Sequence, residues 1–230
     1  MPAGSGGGVC RRARRMIRRR PRWLRILGLV VLVGAVVIGV RGIREPILRA
    51  AGWALVVEEP VGPADIIVVG VDADGAGVLE AADLVQSGIA SRVAVFADPP
   101  DQVDREFLRR GIPYEDRAAQ STRQLRALGV TAIAEIPRAS GTEAEARVLS
   151  NWCDEHRFRS IVFVSTRDHS RRLRRVLQRS LKGHQTRITV RPARYSPFDP
   201  DRWWETRSGV RTEVIEFQKL LLDLIRHPIG

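Results

Sequence analysis

Short runs of consecutive apolar, largely β-branched residues recur along this chain, and each is followed by a helical pattern. Ala64–Val69 reads ADIIVV, Arg92–Phe96 reads RVAVF and Ile161–Val164 reads IVFV. Ala132–Ile136 and Thr186–Val190 are further strand-like stretches. A strand that is apolar throughout, rather than alternating, must be covered on both faces, and this is the signature of a buried parallel strand. Between the runs lie helical stretches at Val78–Gln86, Asp101–Arg110, Ser121–Leu128, Thr142–His156 and His169–Ser180. A last amphipathic helix, Val210–Ile225, puts Val210, Val214, Phe217, Leu221 and Leu224 on one face. Strand–helix alternation predicts an α/β fold: a Rossmann-like open, mostly parallel sheet with helices on both faces. That domain is expected over residues 63–230, with a juxtamembrane linker over 44–62.

Upstream, Ile26–Val40 (ILGLVVLVGAVVIGV) holds fifteen residues without a charge. Extended to Trp23 and Ile43, it spans about 30 Å as a helix, the thickness of a hydrocarbon core. Nine of the chain's arginines precede Ile26 with no acid among them. That asymmetry predicts a basic cytoplasmic tail over 1–22, one transmembrane signal anchor over 23–43 in the lipid bilayer, and an extracytoplasmic C-terminal domain on a bacterial inner (plasma) membrane. A cleaved signal peptide is the rival, but Arg41-Gly42-Ile43-Arg44 offers no small-x-small site directly after the run.

The formal charge of +12 is mostly this local cluster, which leaves +3 for the rest of the chain, so nothing marks the domain for nucleic acid. Cys10 and Cys153 fall on opposite sides of the apolar run, which precludes an internal disulfide across a membrane, and neither sits at metal-ligand spacing. No metal site is expected, and the sequence names no cofactor.

In open parallel sheets ligands bind beyond the carboxyl ends of the strands. Three segments fall there. The loop Gly70–Gly77 carries glycines that can let amides approach a phosphate, with Asp72 able to hold a cation or hydroxyl; an ordinary strand-to-helix turn explains it as well. Ser140-Gly141-Thr142, leading to Glu145, opens a helix with hydroxyls and free amides, although a capping box accounts for Thr142 and Glu145 completely. Ser165-Thr166-Arg167-Asp168-His169-Ser170-Arg171-Arg172 follows the IVFV strand and places a histidine beside hydroxyls and arginines, a grouping suited to acid/base work or phosphate binding.

These motifs, with the tail FDPDRWW and the later Glu213 and Lys219, resemble the bacterial SanA/YdcF/ElyC-like envelope family, long carried as a domain of unknown function. The likeness covers roughly Ala64–Ile225. It implies a role in cell-envelope or cell-wall polysaccharide metabolism, with a small phosphorylated or lipid-linked ligand. It places His169 and Glu145 as catalytic candidates and Gly70, Asp72, Ser140, Thr142, Ser165, Thr166, Arg171 and Arg172 as binding residues. The chain departs from the family's usual pattern at Gly70-Val71-Asp72, at Val78 and at Thr142-Glu143-Ala144-Glu145, so a non-catalytic scaffold or regulator is the alternative.

Overall fold

The computed structural model describes residues 22–114 and 116–228. Its helices are α1 (Arg22–Gly39), α2 (Arg41–Leu55), α3 (Asp74–Gln86), α4 (Gln102–Arg109), α5 (Arg117–Ala127), α6 (Thr142–Glu155), α7 (Ser170–Ser180) and α8 (Arg207–Arg226). Among the described residues the strands are β1 (Ile66–Val69), β2 (Arg92–Phe96), β3 (Ala132–Ile136), β4 (Ser160–Ser165) and β5 (Arg187–Pro192). They form one all-parallel sheet in the order β3-β2-β1-β4-β5. This is a Rossmann-like α/β fold.

The apolar runs do what their composition requires. Ile67, Val69, Val93, Val95, Val162 and Val164 join one buried cluster with α3 and α5. Ile66, Val68, Ala94, Phe96, Ile161 and Phe163 join another with α6 and α7. Successive side chains point to opposite faces, so neighbours in one strand feed both clusters. Each fully buried Leu, Ile or Phe contributes roughly 1.5–3 kcal/mol. Cys153 is one of these core residues, and burial pushes its thiol up to about 12.

Several expectations change. The span expected over 23–43 is not one helix: α1 stops at Gly39, Val40 is non-helical, and α2 starts at Arg41. At 1.5 Å per residue α1 reaches only about 27 Å. Among the described residues no helix is long and apolar enough to cross a membrane. The basic tail expected over 1–22 lies, apart from Arg22, outside the described residues. The chain divides into two units between Glu45 and Pro46, so most of the expected linker 44–62 belongs to the second unit, where Leu55 and Val56 are buried.

The glycine-rich segment is mostly helical. Val71–Ala73 makes a 3₁₀ turn and α3 starts directly at Asp74. Likewise α5 starts at Arg117, four residues ahead of expectation, because the Asp116 carboxylate accepts a hydrogen bond from Ala118 N at 2.8 Å.

The last change is the largest. On α8 the expected apolar face is exposed, and the buried stripe is Gly209, Glu213, Glu216, Leu220 and Asp223. The cause lies on the neighbouring helix. The α7 face that meets α8 carries Arg172, Arg175 and Arg179, and Glu216 and Asp223 of α8 turn inward to pair with them. Charge matching sets the rotation of this helix, and its apolar stripe is left outside.

Candidate functional site

β1 and β4 are neighbours, yet the chain leaves them in opposite directions, to β2 on one side and β5 on the other. This is the switch in strand order where α/β sheets open a crevice. The segments following β1 and β4 meet there with the start of α6 and the inner face of α8.

His169 closes the loop after β4 and precedes the first residue of α7. It is 4% exposed. Its Nε2 lies 3.5 Å from Thr142 Oγ1 and 3.9 Å from Asp72 Oδ2. Its Nδ1 has two neighbours with opposite demands: Arg172 Nη2, a donor, at 3.0 Å, and Glu216 Oε2, an acceptor, at 3.4 Å. With the ring proton on Nε2, toward Thr142 and Asp72, Nδ1 accepts from Arg172; with a proton on Nδ1, the ring donates to Glu216. The ring is therefore placed to take a proton on one nitrogen and give it up on the other.

Arg172 links three elements. Its Nη1 donates to Thr142 Oγ1 at 3.1 Å and its Nη2 approaches Glu216 Oε2 at 3.4 Å. Lys219 donates to the other Glu216 oxygen at 2.6 Å. Burial opposes the charge of Glu216, but contacts with the His169 ring and Lys219, helped by the charge of Arg172, outweigh it and hold the carboxyl at about 2. Glu216 is a fixed anion.

Glu145 is in the opposite state. Burial pushes its carboxyl up to about 7, against the pull of Val71 N, which donates to Oε1 at 2.9 Å. The capping-box expectation fails here. Gly141, at φ +83°, occupies the N-cap with no side-chain hydrogen bond. That left-handed conformation favours glycine. Thr142 therefore faces His169 and Arg172, and Glu145 reaches across to the segment after β1.

A cleft of about 430 Å³ opens beside His169, with Asp72, Thr166, Asp168, Glu216 and Lys219 among its walls. Phe198 and Pro197 supply an apolar side. Burial, with the charge of Glu216 adding to it, raises the carboxyl of Asp168, which a backbone hydrogen bond partly offsets. Burial, with the charge of Asp168 adding to it, pushes Glu213 up to about 7. Ser165 Oγ, Arg172 Nε and Glu213 Oε2 are buried polar atoms without a protein partner, and such atoms ask for a water or a ligand. Among the described residues no cluster of three or more His, Cys, Asp or Glu is suited to a metal ion.

The structure thus brings together Asp72, Thr142, Thr166, His169 and Arg172. Glu145 joins them through Val71 but is not on the cleft wall. Three residues have other surroundings. Ser140 is exposed in the loop before α6. Arg171 donates to the carbonyls of Trp53 at 3.3 Å and Val56 at 2.5 Å, so its guanidinium braces backbone. Gly70 is a packing residue: a Cβ there would stand 2.7 Å from the Phe163 ring and 3.0 Å from Val164 O. Sequence reading missed Glu216 and Asp168. The signal for Glu216 was present, since Glu213, Glu216, Leu220 and Asp223 form a stripe at helical spacing that is as regular as the apolar one.

No protein-family profile matches this chain, and no curated protein does. Among solved structures, a universal stress protein in complex with cAMP aligns at 18% identity over 59% of this chain and 100% of its own, with a TM-score of 0.33. A likeness at that score carries no argument about ligand or activity, and the fold assignment rests on the sheet order itself.

Proposed function

We propose that this chain is a cell-envelope protein of the SanA/YdcF/ElyC-like kind that binds, and processes by proton transfer, a phosphorylated or lipid-linked saccharide precursor. The observation that carries the reading is the release of Thr142 and Glu145 from capping α6: Thr142 meets His169 and Arg172 at the strand-order switch, and Glu145 reaches Val71 beside them. Carboxylates and hydroxyls on the cleft wall (Asp72, Asp168, Thr166) suit sugar hydroxyls, and Lys219 suits a phosphate oxygen. His169 is the acid/base group, and Glu145, half-protonated near neutral pH, is a positioning residue acting through Val71. The arginine cluster and the apolar run Ile26–Val40 support a tether at the outer face of a plasma membrane, where lipid-linked precursors reside.

Thermal unfolding of the full chain, in detergent, against nucleotide sugars, polyprenyl-phosphate head-group analogues, S-adenosylmethionine and divalent metals tests the reading. A ligand at a thousandfold its Kd adds about 4 kcal/mol of stability. A shift with a phosphorylated saccharide that is lost in His169→Gln supports it. A folded protein that shifts with nothing overturns it in favour of a non-catalytic scaffold. That second reading has its own support: Glu216 already meets the charge of Arg172, so a phosphate must compete for it. A reporter fused after the last residue tests the topology, and activity of a cytoplasm-only reporter would overturn the exported placement.

A further inference from the structure

The inverted rotation of α8 leaves a long apolar stripe with nothing over it among the described residues. Val210, Val214, Phe217, Leu221 and Leu224 are all exposed, between 39% and 49% of each residue, and Ile225 reaches 68%. At 3.6 residues per turn these six positions fall within an arc of about 100°, the width of a stripe that normally faces a core. The charges of the helix are sorted as sharply as its apolar groups. Its acids, Glu213, Glu216 and Asp223, are all buried against the domain. Its exposed charges away from the cleft, Arg207, Arg211 and Arg226, are all basic, and Lys219 is held by Glu216.

We propose that α8 lies in the plane of an anionic lipid surface, its apolar stripe in the headgroup–acyl boundary and its arginines on the phosphates. The sorting of charge selects this occupant. A helix whose exposed side carries an apolar stripe and, as its charges, only cations has the pattern of an interfacial amphipathic helix, and each arginine near an anionic leaflet adds to the attraction. A second copy fits less well. In an antiparallel two-fold contact the flanks that carry Arg207, Arg211 and Arg226 face each other, and in a parallel one they face the flank whose acids are already buried against the partner's own domain. No acid is left on the outer surface of the helix to answer them. The inference does not use the ligand cleft and stands apart from the reading of that site.

The test uses the full chain with Cys10→Ser and a spin label on Leu221→Cys; Cys153 is buried and does not compete for label. Arg109→Cys on α4, an exposed position, is the reference. Both variants are first shown to unfold like the parent. The chain is then mixed with vesicles of phosphatidylglycerol and phosphatidylcholine, or of phosphatidylcholine alone. Expected at position 221, in the anionic vesicles only, are a gain in collision with oxygen and a loss of collision with a water-soluble nickel chelate; position 109 stays aqueous in both. Position 221 remaining fully accessible to the chelate overturns the proposal, as does equal insertion into both kinds of vesicle, or a chain that floats with neither. Dipolar broadening between labels at 221 overturns it in favour of a second copy.

Discussion

α6 and α8 both bring carboxylates to the same crevice, and they are built on opposite plans. α6 buries an apolar stripe that includes Ala146, Leu149, Trp152 and Cys153, with the lone acid Glu145 among them. α8 buries acids and turns its apolar groups outward. The two carboxylates that matter follow their helices. Glu145, buried with one backbone donor on its Oε1 and with the nearby charge of Asp72 opposing ionisation, sits near 7. Glu216, ringed by His169, Arg172 and Lys219, sits near 2. Burial acts on both, and the neighbours decide the sign. One helix is held by the hydrophobic effect and presents a carboxyl that can exchange a proton near neutral pH; the other is held by ion pairs and presents a permanent anion.

Four substitutions test this contrast, in falling order of effect. Leu149→Ala, at a fully buried α6 position, is expected to cost about 4 kcal/mol in denaturant unfolding; a loss below about 1 kcal/mol would mean α6 is not held by its apolar stripe. Glu216→Ala strands a mostly buried guanidinium and should cost about 3 kcal/mol. A neutral result there would show that the acids do not hold α8. Glu145→Gln should stabilise by about 2 kcal/mol at pH 8 and have little effect at pH 4. The sign follows from a folded pKa raised above the usual 4.5: the stability that Glu145 contributes is present below 4.5 and is lost as pH rises through about 7. Glu216 runs the other way, its contribution being present above 4.5 and lost as pH falls toward about 2. A wild-type stability curve that rises through neutral pH would contradict the first assignment. Finally, Leu221→Ser should change aqueous stability by less than about 0.5 kcal/mol; a larger loss would mean the stripe on α8 is covered in solution.

The strands were legible because a run such as IIVV has one physical solution, a central parallel strand between two layers. The site was half legible. The loop containing His169 follows β4 in sequence, so position at a strand end was enough to find it. Glu216 was not, because it meets His169 from 47 residues away and its helix shows two regular stripes. Periodicity says that a stripe exists; which stripe turns inward depends on the arginines of α7. The misreading of Thr142 and Glu145 has the same root. Thr-x-x-Glu spacing is identical whether the two side chains close on their own helix or reach elsewhere, and only the third dimension separates the cases.

Ser170 and Arg171 tie the first turn of α7 to residues 53–57. Arg171 donates to the Trp53 and Val56 carbonyls, and Ser170 Oγ accepts from Val57 N at 3.0 Å while lying 3.4 Å from Leu55 O. The next residues on either side are His169 and Arg172. In mechanical terms residues 53–57 are a strap and α7 is the lever it holds. The strap's points of attachment lie one residue from the imidazole and the guanidinium of the crevice, so residues 53–57 fix where both stand.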